Sequence, residues 1–336
     1  MDGLSDNGNG IRERRGYAMR KEEFTIDSRD GIHKLYSVKY VPEGEPKAIV
    51  QIIHGMSEYM ARYEDFAAFL TERGFLVTGE DHLGHGLSVG EGDTYGYFCP
   101  MDPATVIVRD VHRLKKTVQA QYPGVPYFIL GHSMGSYILR NYLFRYGTGI
   151  QGAIIMGTGM EKKPAVTFVR ILSKCMELIY GDKHLSRTLD KLAMGSYCKR
   201  IPNPRTPSDW LSKDEEVVNR YRVDPLCGFH FTVNGYRCLF ELINRLFKKK
   251  NLEELPKDLP VLMVSGSEDP VGAYGEGVRK ACESLRNAGM FHVELKMYAG
   301  DRHEILNELD RGQVMEDIAG WITLSGGLEG TNGTAQ

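Results

Sequence analysis

Gly131-His132-Ser133-Met134-Gly135 follows the short apolar run Tyr127-Phe128-Ile129-Leu130 and precedes Tyr137, Ile138, Asn141, Tyr142 and Phe144, which recur at mostly helical spacing. A buried strand therefore passes into a helix across one serine. The reversal is so sharp that the serine must take a strained backbone conformation, and the flanking positions have no room for a Cβ. Glycine meets that demand. This is the sequence form of a nucleophile elbow, although a glycine-rich turn after a strand also occurs in α/β proteins with no reactive serine.

Outward from the elbow, apolar or β-branched runs recur at Glu23–Ile26, His33–Val41, Lys47–Ile53, Phe75–Thr78, Ala153–Met156, Val261–Val264 and Val293–Met297. Helical patterns lie between most of them, at Tyr63–Arg73, Pro103–Gln121, Ser136–Arg145, Gly275–Ala288 and Ile305–Ile318. Such alternation predicts an α/β fold with a mainly parallel sheet, helices on both faces and an antiparallel edge at the start. Right-handed crossovers would place the strand ends on one rim, where active sites of open α/β sheets lie.

The alternation breaks between residues 159 and 239. That span holds helical stretches such as Pro164–Tyr180, a proline-rich turn at Ile201-Pro202-Asn203-Pro204, and no convincing buried strand. It reads as a helical cap inserted into a core of residues 21–158 and 240–323. From Glu161 to Lys213 the cap carries eleven Lys or Arg against five Asp or Glu, which makes a basic lid over a site. Val166, Phe168, Val169, Leu172, Met176 and Ile179 form a broad apolar face on one helix. Such a face either packs on the core or meets acyl chains or a membrane surface.

Length and composition bound the rest. A chain of 336 residues suits one core domain with an insertion. A formal net charge of −2 gives no support for nucleic-acid binding. Cys99, Cys175, Cys198, Cys227, Cys238 and Cys282 form no C-x-x-C pair, so free thiols in a reducing cytoplasm are expected. Residues 1–20 lack the apolar core of a secretory signal, and no apolar stretch approaches the length that spans a bilayer. These residues and 324–336, rich in small and polar side chains, are expected to be disordered.

A serine hydroxyl needs a histidine to take its proton and a carboxylate to orient that histidine. After Val261-Leu262-Met263-Val264 comes Ser265-Gly266-Ser267-Glu268-Asp269-Pro270, which places an acid at a strand's carboxyl end. After Val293–Met297 comes Tyr298-Ala299-Gly300-Asp301-Arg302-His303-Glu304, read as leading into a helix. Chain order is then Ser133, Asp269, His303. Glu268 is the alternative orienting acid, Asp269 could simply initiate a turn before Pro270, and His303 could merely begin a helix capped by Asp301. His292 precedes its strand and so belongs to the opposite rim.

The oxyanion of a tetrahedral intermediate needs backbone N–H donors, one from the residue after the nucleophile, here Met134. Ile52-Ile53-His54-Gly55-Met56 ends an earlier strand and offers the Met56 N–H as the second. His54 is either a base or a structural ring that fixes this loop. Asp81-His82-Leu83-Gly84-His85 invites a metal reading, but no cysteine or further ligand cluster follows at suitable spacing. No metal and no cofactor is expected. Gly90-Glu91-Gly92-Asp93 is no phosphate loop, because no G-K-[ST] follows.

The stretches HGMSEYMARY (His54–Tyr63), EDHLGHGLS (Glu80–Ser88), GHSMGS (Gly131–Ser136), GSEDPVG (Gly266–Gly272) and GDRHEILNE (Gly300–Glu308) resemble the monoacylglycerol lipase and lysophospholipase-like α/β-hydrolases, grouped with the serine aminopeptidases. The resemblance runs from about residue 23 to residue 321. It implies an eight-stranded α/β-hydrolase sheet with a cap after the sixth strand, and hydrolysis of esters of monoacylated lipids. It implies Ser133 as nucleophile, Asp269 as orienter, His303 as base, and the N–H groups of Met56 and Met134 as oxyanion hole.

The expected partner is a lipid or other small ester, with transient membrane contact through the cap. Substrate contacts are expected from His54, Glu58, Asp224 and Phe229. Membership also covers peptidases acting at an N-terminal residue, for which Glu58 or Asp224 would hold the amine. A noncatalytic binding protein on the same fold is the third reading.

Overall fold

The computed structural model describes residues 19–328. Eight strands, β1 (Arg20–Asp27), β2 (Lys34–Val41), β3 (Ala48–Ile53), β4 (Phe75–Glu80), β5 (Tyr127–His132), β6 (Gly152–Met156), β7 (Val261–Gly266) and β8 (Val293–Tyr298), form one sheet in the order β1-β2-β4-β3-β5-β6-β7-β8. β2 pairs antiparallel with both β1 and β4, and every other pair is parallel. Strand continuity comes from residues buried on both faces. In β5, Tyr127 and Ile129 enter one apolar layer while Phe128 and Leu130 enter the other, the period of two that a pleated strand imposes.

The described residues form ten α-helices: α1 (Glu64–Thr71), α2 (Pro103–Gln121), α3 (Met134–Tyr146), α4 (Lys163–Tyr180), α5 (Arg187–Met194), α6 (Glu215–Val223), α7 (Val233–Arg245), α8 (Lys249–Glu253), α9 (Glu276–Asn287) and α10 (Arg311–Ser325). α2 starts where Asp102 accepts the Thr105 N–H and Pro103 occupies the first turn, which needs no N–H there. The layer on one face takes residues from α2, α3, α7 and α9, and the opposite layer takes them from α1 and α10. The molecule has the α/β-hydrolase fold.

The structure differs from the sequence expectation at three places. The helix expected over Ile305–Ile318 is a single tight turn, Ile305–Asn307, followed by α10 from Arg311. Glu308 between them is extended, with φ −80° and ψ 170°, because its carboxylate turns back to accept hydrogen bonds from Ser212, Lys213 and Arg302. The apolar face of α4 is divided. Val166 and Val169 are buried, but Phe168 and Ile179 face solvent together with Ile171 and Leu178. Finally, α7 runs across the boundary expected between residues 239 and 240.

The ends expected to be disordered lie mainly outside the described residues. Of the described part, Arg20 opens β1 and Ser325 closes α10. Among the described residues no helix is long and apolar enough to cross a membrane.

Candidate active site

Ser133 stands between β5 and α3 with φ 54° and ψ −119°, a conformation that L-residues adopt only under constraint. The glycines around it are required by close approach. A Cβ at Gly135 would sit 2.0 Å from the Ile53 carbonyl oxygen, and one at Gly131 would sit 2.4 Å from that of Gly135. Ser136 donates its Oγ–H to the Ser133 carbonyl at 2.5 Å and ties down the first turn of the helix.

Asp269 follows β7 and His303 follows β8, so the parallel sheet delivers both to the rim that carries Ser133. His303 Nδ1 lies 3.0 Å from Asp269 Oδ1, which also accepts the Val271 N–H at 2.9 Å. The other carboxylate oxygen accepts from Ser265 Oγ at 3.2 Å. Glu268, the alternative acid, is exposed and makes no such contact. With Nδ1–H donated to the aspartate, His303 Nε2 is left as an acceptor. That atom is buried and has no hydrogen-bond partner among the described residues. It shares a cavity of about 550 Å³ with Ser133.

Met56 and Met134 also line this cavity. Met134 is the first residue of α3, so its N–H has no acceptor within the helix and lies at the positive end of the helix dipole. Gly55 brings the other loop against the nucleophile, since a Cβ there would lie 3.0 Å from Ser133 Cβ.

Of the four residues expected to touch substrate, Glu58 and Phe229 line the cavity while His54 and Asp224 do not. The His54 ring is fully buried, donates from Nδ1 to the Gly55 carbonyl at 2.8 Å and accepts the His82 N–H on Nε2 at 3.0 Å. It holds the loop that carries Met56. Asp224 accepts from Tyr59 Oη at 2.9 Å and from the Leu226 N–H at 2.8 Å, and so shapes the chain leading to Phe229. Asp81 accepts the N–H groups of Met60 and Leu87. Among the described residues no group of three or more His, Cys, Asp or Glu side chains is arranged to hold a metal ion.

In the cavity wall itself lies a buried charge network that sequence reasoning missed. Glu58 Oε1 accepts from the Gly55 N–H at 2.5 Å and from Tyr63 Oη at 2.8 Å, and His132 Nδ1 lies 3.1 Å away. Arg62 reaches Glu58 Oε2 at 2.8 Å and Glu304 through two bonds. Burial alone would raise the Glu58 carboxyl pKa, but the hydrogen bond and charge of His132, with the charge of Arg62, outweigh it and hold it well below the usual carboxylate range. Burial opposes charge on His132 as well, yet the hydrogen bond it donates to Glu58, with that carboxylate's charge, raises its pKa. The signal in sequence was slight: Glu58 and Arg62 stand four residues apart at the start of a helical stretch.

The remainder of the cavity is lined by α4, α5 and α7, with Val166, Val169, Leu192, Leu239, Phe240 and Ile243 among its apolar side chains. A polar reaction centre thus sits at one end of an apolar chamber.

Comparison with known proteins agrees with this geometry. A monoglyceride lipase of Mus musculus is 30% identical over 298 residues, covering 86% of each chain. A monoacylglycerol lipase of Mycolicibacterium smegmatis is 27% identical over 303 residues, covering 90% of this chain and 97% of the relative. The crystal structure of a thermostable carboxyl esterase from Bacillus coagulans in complex with glycerol superposes with a TM-score of 0.85 at 32% identity, covering 92% of this chain and 99% of that one. The family model described as serine aminopeptidase, S33 matches residues 44–310. A match spanning Ser133, Asp269, His303 and all the residues between them leaves one assignment: the chain belongs to the serine aminopeptidase S33 family.

Proposed function

We propose that this protein is a serine hydrolase that cleaves carboxylic esters of monoacylated lipids, of the monoacylglycerol or lysophospholipid type, through an acyl-enzyme. The observation that carries this reading is the unpartnered His303 Nε2, oriented by Asp269 and opening with Ser133 into one largely apolar chamber. The relatives named for monoacylglycerol hydrolysis support the same substrate class.

Ser133 Oγ attacks the ester carbonyl as its proton passes to His303 Nε2, and Asp269 stabilises the imidazolium. The carbonyl oxygen becomes an oxyanion that takes hydrogen bonds from the Met56 and Met134 N–H groups. Collapse breaks the C–O bond and His303 returns the proton to the departing alkoxide. Water then enters and attacks the acyl carbonyl as it gives a proton to His303, and His303 passes that proton to Ser133 Oγ as the acyl C–O bond breaks, which releases the acid and restores the serine.

The apolar cap holds the acyl chain. The exposed apolar side of α4 gives the cap a surface for transient contact with a lipid interface. All six cysteines are free, which supports the reducing cytoplasm as its compartment.

The peptidase reading loses the carboxylates it relied on. Glu58 is saturated by Gly55, Tyr63, His132 and Arg62, and Asp224 lies off the cavity. Glu161 is the lining carboxylate without a partner among the described residues, which is one acid for an amine against a chamber of apolar side chains.

The test is a panel of monoacylglycerols, lysophospholipids and aminoacyl anilides, assayed with wild type and Ser133→Ala side by side. Ester turnover abolished by the substitution supports the reading. Anilide turnover without ester turnover would replace it with the peptidase. Failure of a fluorophosphonate to label Ser133 in folded protein would point to a noncatalytic binding role.

A further inference from the structure

The loop that carries His303 is fastened to the cap as well as to the core. Residues 301–308 and cap residues 209–213 meet through bonds of every kind. The Glu304 N–H donates to the Leu211 carbonyl at 2.7 Å, and the His303 N–H to that of Trp210 at 3.4 Å. Arg302 Nη1 donates to the carbonyls of Asp209 and Ser212 at 2.6 and 3.0 Å. Lys213 Nζ pairs with Asp301 Oδ1 at 3.0 Å. The indole of Trp210 rests against the His303 ring, with centroids 5.0 Å apart.

Glu308 closes this contact. Its carboxylate is fully buried and accepts from the Arg302 N–H at 2.8 Å on the histidine side. On the cap side it accepts from Ser212 Oγ at 3.2 Å and from the Lys213 N–H at 3.2 and 3.1 Å, one to each oxygen. One buried carboxylate therefore satisfies donors from both segments, and its removal would leave half-buried N–H groups of Arg302 and Lys213 without this acceptor.

We propose that Glu308, through cap residues 209–213, is a positioning element for His303, so that the cap sets the place of the catalytic base as well as admitting substrate. This rests on His303 being the base of the proposed hydrolase. The geometry demands such support. His303 has one side-chain hydrogen bond, to Asp269, and its Nε2 must meet Ser133 with no other bond to aim it. Its backbone is held by Trp210, Leu211 and, through Arg302, by Glu308. A reacting atom displaced by about 1 Å costs on the order of 100-fold in rate.

The test compares wild type, Glu308→Gln and Glu308→Ala on p-nitrophenyl butyrate, a dissolved ester too short to need the cap for binding, with thermal unfolding followed in parallel. The expected result is a fall in kcat of about 10- to 100-fold for Glu308→Ala with KM within about twofold, and a smaller fall for Glu308→Gln, which keeps one acceptor oxygen. The downfield proton resonance of the His303–Asp269 hydrogen bond should broaden or vanish in folded Glu308→Ala. Wild-type kcat and an unchanged resonance in the folded variant would overturn the proposal, as would a defect confined to KM for long-chain esters.

If Glu308→Ala does not fold, Glu308→Gln decides in the same assays, since it keeps the side chain's shape and gives up one acceptor oxygen. Wild-type kcat and resonance there overturn the proposal. Inactivity of the wild type on every ester would refute the functional reading instead, and the resonance would still report whether Glu308 orders His303.

Discussion

Arg62 meets Glu304 in two parallel hydrogen bonds, Nη1 to Oε1 and Nη2 to Oε2, each 2.7 Å. The same guanidinium holds Glu58, and Glu58 holds the Gly55 N–H beside the nucleophile. One cation thereby ties the residue after His303 to the loop that carries Met56. A fork of this kind suits arginine and no other side chain.

Replacing Arg62 with Met would leave two buried carboxylates facing one another. Loss of one partner from such a network costs about 3–5 kcal/mol. The sign with pH follows from the partners. Burial raises the Glu304 carboxyl pKa but the charge and hydrogen bonds of Arg62 lower it further, so the stabilisation is present above the ordinary carboxylate pKa and is lost as pH falls through the depressed value. Urea unfolding of wild type and Arg62→Met should therefore show the largest gap at pH 7, and a smaller one near pH 4, where the variant's carboxylates protonate.

Gly135→Ala should prevent correct formation of the elbow. Its Cβ would lie 2.0 Å from the Ile53 carbonyl and 2.7 Å from that of His54, both backbone atoms of the neighbouring strand end. Neither can retreat without breaking the β3–β5 register that pairs Ile53 with Gly131. Overpacking typically costs about 1–3 kcal/mol where side chains can yield, and more is expected here. Melting temperature and fluorophosphonate labelling of Ser133 should fall together.

That Ser133, Asp269 and His303 share one rim was legible because each follows closely on a parallel strand, and local order was enough to place them there. Even so, Asp269 and Glu268 are adjacent, and only the tertiary contact with His303 separates them. The network around Arg62 was not legible, since Glu58 and Glu304 stand 246 positions apart and meet only when β8 docks beside β7. The helix expected over Ile305–Ile318 failed for a related reason. Ile305, Leu306, Val314, Met315 and Ile318 do carry apolar periodicity, but Glu308 is drawn out of helical geometry by donors from the cap, which no local pattern records. His54 shows the converse, a histidine in a catalytic neighbourhood whose two nitrogens are occupied by backbone groups.

Asp110 offers a stability test away from the site. It lies on α2 and accepts from Ser28 Oγ at 2.9 Å and from the Arg29 N–H at 2.5 Å. Burial pushes its carboxyl pKa up to about 7. The folded state then holds a proton that the unfolded state has released, so wild-type stability declines as pH rises from the ordinary carboxylate range towards 7, by about 1.4 kcal/mol per pH unit at most. Asp110→Asn keeps an acceptor oxygen and does not titrate. Its melting temperature relative to wild type should rise between pH 5 and pH 7 and then level off.

The outer face of α4 gives the last prediction. Phe168, Ile171, Leu178 and Ile179 are 60%, 61%, 79% and 70% exposed, and their spacing sets them along one stripe. None lines the cavity that holds Ser133, so they have no part in holding the acyl chain there. Lys162, Lys163 and Lys174 stand on the same helix or just before it and are exposed, which suits an anionic interface. Fully burying one such side chain is worth about 1.5–3 kcal/mol, so even partial insertion of four amounts to several kcal/mol. Replacing all four with serine should lower partition onto anionic vesicles by at least about tenfold. Hydrolysis of monoacylglycerol presented in those vesicles should fall with it, while kcat and KM for a dissolved short ester stay at wild-type values. Equal vesicle binding by the variant would show that the stripe has no part in reaching lipid.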